Sequence, residues 1–211
     1  EGFDLELHTH ASAEAQVAAL SDDIAYNTHD VDDGLRAVML DFADLAHVAL
    51  PARALKDIDA TFPGLPADKR AFEVVRQMIS ELIGDVLSNS RGLLAPFEAR
   101  APEDIRTHDQ PVIAFSPSMY EDLQELRAFL FAHLYRHPQV NRRRHKTTKI
   151  IKDLFDLYDA NPSLLLSEKG MAEAIDDPVV RAGIVTDTIA SMTDKSAIEE
   201  HRRQFDLYAI D

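Results

Sequence analysis

Between Ser21 and Arg36 the chain carries five aspartates and one histidine, yet its apolar residues keep the period of an α-helix. A segment patterned this way can bury only one side. Each residue advances about 100° around a helix axis. With Asp22 as origin, His29, Asp33, Tyr26 and Asp30 fall at roughly −20°, 20°, 40° and 80°. Val17, Leu20, Ile24, Val31 and Leu35 fall between roughly 160° and 220°, on the opposite side. One face therefore suits a core, and the other presents Asp22, Tyr26 and Asp30 one turn apart. Ala18, Ala19 and Ala25 flank the stripe, where small side chains let a neighbouring helix come close. A solvated acidic face and a face that holds a cation or polar ligand both fit. The period alone favours the solvated face, since most charge runs are solvated.

The helical period continues through most of the sequence. A first long helix is expected from Ser12, whose hydroxyl can cap the first turn. It runs toward Ala49, loosened at Gly34 and broken at Pro51. Ala52 to Ile58 reads as a short helix and Thr61 to Pro66 as a turn. Asp68 to Leu94 reads as a long amphipathic helix with Phe72, Val75, Ile79, Leu82, Ile83 and Val86 at helical spacing. Pro96 to Pro111 has no period and reads as a loop. Val112 to Phe115 is short and apolar, a strand or a buried extended segment. Ser116-Pro117 starts a helix whose stripe is Met119, Leu123, Leu126, Leu130 and Leu134. Pro138 opens another, ending near Ala160. Asp177-Pro178 opens a final helix to about Phe205, in which the small polar residues from Asp187 to Lys195 either line a pocket or pack against a neighbour. With no repeat, linker or low-complexity tract, residues 1–211 read as a single all-α domain or part of one. Glu1 to Leu7 alternates polar and apolar residues with no cap before it, so more sequence is expected upstream.

Composition narrows the chemistry. A chain of 211 residues can bury a sizeable core. A formal net charge of −15 argues against non-specific duplex DNA binding by the whole surface. It leaves anionic substrates open, because a metal or basic cluster inverts the field locally. There is no cysteine, hence no disulfide, thiolate zinc site or cysteine nucleophile. The lack of cysteine suits a cytoplasmic protein; no apolar run approaches the roughly 20 residues that span a bilayer, and no signal-peptide pattern is visible. No Gly-rich phosphate loop or nucleophile elbow is present. His8-Thr9-His10 and the i, i+4 pair His133 and His137 are weak metal motifs that read as surface or structural. The run Arg142-Arg143-Arg144-His145-Lys146, with Lys149 beyond it, stands out in an acidic chain. It reads either as a solvated helix start or as a patch for phosphate or single-stranded nucleic acid. Aromatics are not interleaved, so a base-stacking platform is not indicated.

Glu14 to Tyr26, followed by His29 to Arg36, closely resembles bacterial deoxyguanosinetriphosphate triphosphohydrolases of the HD-domain superfamily. Phe129-Leu130-Phe131, Tyr135-Arg136-His137-Pro138 and Ile189 to Lys195 look like later landmarks of the same family. The resemblance implies an all-α HD-type fold, of which this chain looks like the C-terminal portion. It implies hydrolysis of a deoxynucleoside triphosphate, with dGTP favoured, to the deoxynucleoside and triphosphate. It also implies a divalent metal, magnesium or manganese, and a homo-oligomer.

By motif position Asp22 looks like the family's distant metal-binding aspartate, and Tyr26 and Asp30 look like the pair that contacts the 3′-hydroxyl. Asp194 and Lys195 look like substrate contacts. The family's leading histidine, its His-Asp pair and its acid–base residues normally lie upstream of the Asp22 motif, so no catalytic residue is expected within this chain. The late motif usually reads Gly-Met-Thr-Asp-Arg and an aromatic; here it is Ser191-Met192-Thr193-Asp194-Lys195-Ser196. Two other readings stay open: a non-catalytic nucleotide or single-stranded nucleic-acid binding module of the same fold, and an HD-type phosphohydrolase acting on monophosphates or cyclic nucleotides.

Overall fold

The computed structural model describes residues 6–165 and 177–208; the first five residues of the N-terminal alternation lie outside that set. Among the described residues the secondary structure is helical, with no strand. The chain divides into two compact units, Glu1–His137 and Pro138–Asp211.

In the first unit, α1 spans Ala13–Arg36, and Ser12 caps it by accepting from the Ala15 amide. The expected continuation toward Ala49 does not form. Val38 adopts a left-handed φ of 53°, and the amides of Met39 and Leu40 turn back to the Gly34 carbonyl. Gly34 permits that return, because a Cβ there would lie 2.4 Å from Leu40 Cδ1. A short α2 (Phe42–Leu45), capped by Asp41, follows. α3 (Ala49–Thr61) starts earlier than expected. Pro51 sits within its first turn, where an amide has no helical partner to lose.

α4 (Ala67–Leu94) matches its expected span. Its buried line is Ala71, Val74, Val75, Met78 and Leu82, while Phe72 and Ile83 of the expected stripe are exposed. The loop from Pro96 to Pro111 contains one short helix, α5 (Pro102–Arg106). α6 (Pro117–Leu130) begins at the expected Ser116 cap. It buries Leu123, Leu126 and Leu130 in one core with residues of α1, α3 and α4. Its last turn widens into a π-turn over Phe131–Tyr135, closed by the Arg136 amide on the Phe131 carbonyl.

Val112 to Phe115 is irregular, with bends at Val112 and Ile113, and forms no strand. Neighbouring side chains satisfy its backbone instead, as a buried irregular segment requires. Buried Gln16 of α1 accepts from the amides of Val112 and Ile113 and donates to the Ala11 carbonyl. From α4, Ser90 accepts from the Ala114 amide, and Asn89 donates to the carbonyls of Ala114 and Phe115. Asp85 accepts from both the amide and the hydroxyl of Ser116. This lacing fixes where α6 begins relative to α1.

In the second unit α7 spans Pro138–Ala160. The expected final helix is two helices, α8 (Pro178–Ala190) and α9 (Asp194–Phe205). The cause is local. Thr193 turns extended and accepts from the Ser196 amide, which starts a new helix rather than continuing the old one. Leu154, Tyr158 and Val185 form the buried centre of this unit.

Candidate functional site

Asp22, Tyr26 and Asp30 lie one turn apart along α1, as the helical period requires. Directly behind them the helix is buried through Ile24, Asn27, Thr28 and Val31. Thr28 and Asn27 satisfy their side chains on the helix's own carbonyls, the hydroxyl on Ile24 and the amide on Asp23. The stripe is therefore carried on a helix anchored from behind.

The three residues differ in surroundings. Asp22 is exposed and Tyr26 is 60% exposed, so both offer their polar groups outward. Asp30 is half-buried, and the Tyr135 hydroxyl from the π-turn donates to its carboxylate. Burial raises the Asp30 pKa above the ordinary aspartate value, and the nearby Asp33 charge adds to the shift; His29 offsets part of it. The remaining acids are engaged or peripheral. Asp23 pairs with Arg127 of α6 at 2.8 Å, Asp32 pairs with Arg36 at 2.6 Å, and Asp33 is exposed.

Tyr135 has a role that the helical pattern does not reveal. The sequence shows it only as part of a landmark, Tyr135-Arg136-His137-Pro138. The π-turn interrupts the 3.6 period at this point, so no face can be extrapolated to it. Its neighbour Leu134 remains in the core.

Other sequence candidates resolve as structure. His133 stacks on Phe129 with ring centroids 4.3 Å apart, and its Nδ1 lies 3.0 Å from the Phe129 carbonyl oxygen. Among the described residues no group of three or more His, Asp or Glu is arranged to hold a metal ion. Asp22 is thus a single available carboxylate, not a complete cation site. An apolar groove of about 260 Å³ between α1 and α4 is lined by Val17, Leu20, Ile24, Ile83 and Leu87, among others. It opens on the side of α1 away from the acidic stripe and contains none of the candidate residues.

In the second unit, Asp194 and Lys195 occupy the first turn of α9 and are exposed. Lys195 lies 3.7 Å from Glu199. Behind this turn, Tyr158 donates to Glu200 at 2.6 Å. Burial and that bond push the Tyr158 phenol above its usual range. Burial also acts to raise Glu200, but hydrogen bonds from Tyr158, Gln204 and Arg203 outweigh it and hold the carboxyl low. His201 lies 2.7 Å from Asp153 of α7. These contacts fix α9 against α7 and leave its N-terminal turn open. Arg142, Arg143, Arg144 and Lys146 are all exposed on α7.

Residues 113–203 match the model of the phosphohydrolase-associated domain family. Three relatives, each called a deoxyguanosinetriphosphate triphosphohydrolase-like protein, align along almost the whole chain. The one from Cereibacter sphaeroides (strain ATCC 17029 / ATH 2.4.9) is 43% identical over 202 residues, covering 95% of this chain and 53% of the relative. The one from Parvibaculum lavamentivorans is 44% identical over 210 residues, covering 99% and 52%. The one from Brucella anthropi is 43% identical over 207 residues, covering 98% and 51%. The chain thus spans about half the length of the relatives it matches. The α1 motif, the π-turn landmark and the α9 motif all lie inside the aligned region, so along almost its whole length this chain is similar to about half the length of the deoxyguanosinetriphosphate triphosphohydrolase-like proteins.

Proposed function

We propose that this chain forms one wall of a deoxynucleoside-triphosphate site in a metal-dependent triphosphohydrolase that acts on dGTP or another dNTP. The observation that carries the reading is the α1 stripe: Asp22, Tyr26 and Asp30 aligned on an anchored helix, with Asp30 braced by Tyr135. In this reading Tyr26 and Asp30 hold the 3′-hydroxyl of the deoxyribose. A carboxylate that already accepts from Tyr135 has further lone pairs for the sugar hydroxyl. Asp30, fixed by that bond, sets where the sugar sits, and the sugar sets where the phosphates fall. Asp194 and Lys195 are proposed substrate contacts at the open turn of α9. Lys195 offers a point charge to phosphate rather than the planar fork of an arginine.

Asp22 would give one oxygen to magnesium or manganese, a donor suited to a hard cation. Among the described residues no set of ligands completes a metal site. The other ligands and the acid–base groups belong, in this reading, to the remaining half that the relatives carry. The 211 residues alone are therefore expected to show little or no turnover. A homo-oligomer and a cytoplasmic location are parts of the same proposal.

A 3′-deoxy substrate tests it. In the longer protein, a lost charge-assisted hydrogen bond is worth about 1.5–3 kcal/mol, so 2′,3′-dideoxy-GTP should fall about 10–150-fold below dGTP in kcat/KM. In Asp30→Ala and Tyr26→Phe that gap should shrink, because the group that reads the hydroxyl is gone. An undiminished gap in both variants would remove Tyr26 and Asp30 from the sugar site.

A further inference from the structure

The helix that carries Asp194 and Lys195 is docked with no core of its own. No residue of α9 is buried, and Ala197 alone among its apolar residues packs on the Leu154–Tyr158–Val185 centre. The inward face is polar instead. With Lys195 as origin, Glu200, Gln204, Ala197 and His201 fall at roughly 140°, 180°, 200° and 240° around the axis. Two carboxylates tie that face to α7. Tyr158 donates to Glu200 Oε1 at 2.6 Å, and Gln204 donates to the same oxygen at 2.8 Å. One residue on, His201 Nε2 lies 2.7 Å from Asp153 Oδ2. The Glu200 side chain is 13% exposed, so its bond to Tyr158 is sheltered from water. Its second oxygen, Oε2, accepts from Arg203, whose side chain is 59% exposed.

Lys195 leaves the helix on the opposite side, five residues before Glu200 and about 7.5 Å away along the axis. At that separation the two side chains cannot meet. Whatever Glu200 does for Lys195 is transmitted by the helix as a body. A helix of 12 residues without an apolar anchor takes its orientation from its polar ties. Loosening one of them swings the N-terminal turn, and a misplacement of about 1 Å at a substrate contact can cost on the order of 100-fold in rate.

We infer that Glu200, held by Tyr158, is a positioning residue for the nucleotide: it sets α9 so that Lys195 meets the phosphates. The inference rests on the reading of Lys195 as a substrate contact, and Glu200 itself touches no substrate.

The test is a double-mutant cycle in the longer protein, read as kcat/KM for dGTP below the melting transition of every variant. Lys195→Ala should lower kcat/KM at least about tenfold, the range for a lost hydrogen bond to a charged group. Tyr158→Phe keeps the ring and removes the bond, and should cost about tenfold. In the Lys195→Ala background the same Tyr158→Phe change should cost less than about threefold, because the contact it aims is gone. Glu200→Ala should lose at least as much as Tyr158→Phe. Glu200→Gln should stay within about threefold of the parent, since a carboxamide oxygen keeps both Oε1 bonds and Arg203 can turn to solvent. Amides of α9 should exchange at least about tenfold faster in Tyr158→Phe and Glu200→Ala, and at the parent rate in Glu200→Gln. Should Glu200→Ala fail to fold, the Tyr158→Phe cycle decides alone.

Equal losses from Tyr158→Phe with and without Lys195 would overturn the inference, because Glu200 would then only stabilise the fold. So would parent activity in Tyr158→Phe, or a Glu200→Gln as impaired as Glu200→Ala. A parent without dGTP turnover, or a Lys195→Ala variant as active as the parent, is a different failure. It removes the underlying reading of Lys195, and the inference falls with it.

Discussion

Gln16 offers a sharp test of how this fold positions its candidate site. Its carboxamide oxygen accepts from Val112 at 3.0 Å and from Ile113 at 3.1 Å, and its nitrogen donates to Ala11 at 2.8 Å. Gln16 is 8% exposed and Val112 is 1% exposed, so water cannot replace the lost acceptor. Gln16→Met keeps the length of the side chain and removes all three bonds. Each buried amide left without a partner costs about 1–3 kcal/mol, so the substitution should cost about 2–5 kcal/mol. With a urea slope of about 1–3 kcal/mol per molar, the midpoint should fall by about 1–2 M. Amide hydrogen exchange localises the effect. The Val112 and Ile113 amides should exchange at least about 30-fold faster, the factor that corresponds to 2 kcal/mol. Amides of α9 in the second unit should be unaffected. A midpoint shift below about 0.3 M, inside the uncertainty of such extrapolations, would refute the reasoning. So would unchanged protection at Val112.

Gly34→Ala gains about 1 kcal/mol of helix propensity. It also drives a Cβ to 2.4 Å and 2.7 Å from two atoms of buried Leu40, an overpacking cost of about 1–3 kcal/mol. Clash is expected to win, and Leu40→Ala in the same chain should remove most of the Gly34→Ala penalty in a double-mutant cycle. Val38→Gly should stabilise by about 1–2 kcal/mol, because a β-branched residue in the left-handed region is strained. Little packing is lost there, since Val38 is 86% exposed; a destabilised Val38→Gly in thermal melts would contradict this. Asp30 is raised in the fold, so its contribution is fully present below the unfolded value near 3.9 and is lost as pH rises through the folded pKa. Asp30→Asn should therefore become more favourable relative to the parent as pH rises through that window, and flat relative stability from pH 3 to 7 would refute the assignment.

The face of α1 could be read from sequence because three residues spaced by four need only the helix period to align. The stripe of α6 could be read for the same reason. The end of α1 could not, because it rests on a valine in a conformation that valine disfavours and on a glycine whose role depends on Leu40, six residues on. Gln16 looks like an ordinary polar residue near a helix start, and its partners lie about a hundred positions away. Tyr135 is displaced from any extrapolated face by the π-turn. The break between α8 and α9 did have a local signal, Thr193 with Ser196 three residues later, which the apolar period across the junction obscured. The geometry of Asp22, Tyr26 and Asp30 was therefore legible, whereas the parts that brace it depend on contacts between distant segments.

The most direct test of the central claim is product analysis with the longer protein, in which this chain is joined to the half its relatives carry. Incubated with dGTP and manganese or magnesium, it should release deoxyguanosine and intact tripolyphosphate. Asp22→Asn should abolish that release while the protein stays folded. Release of orthophosphate instead, or of nothing from any dNTP by a protein that binds the metal normally, would contradict the account.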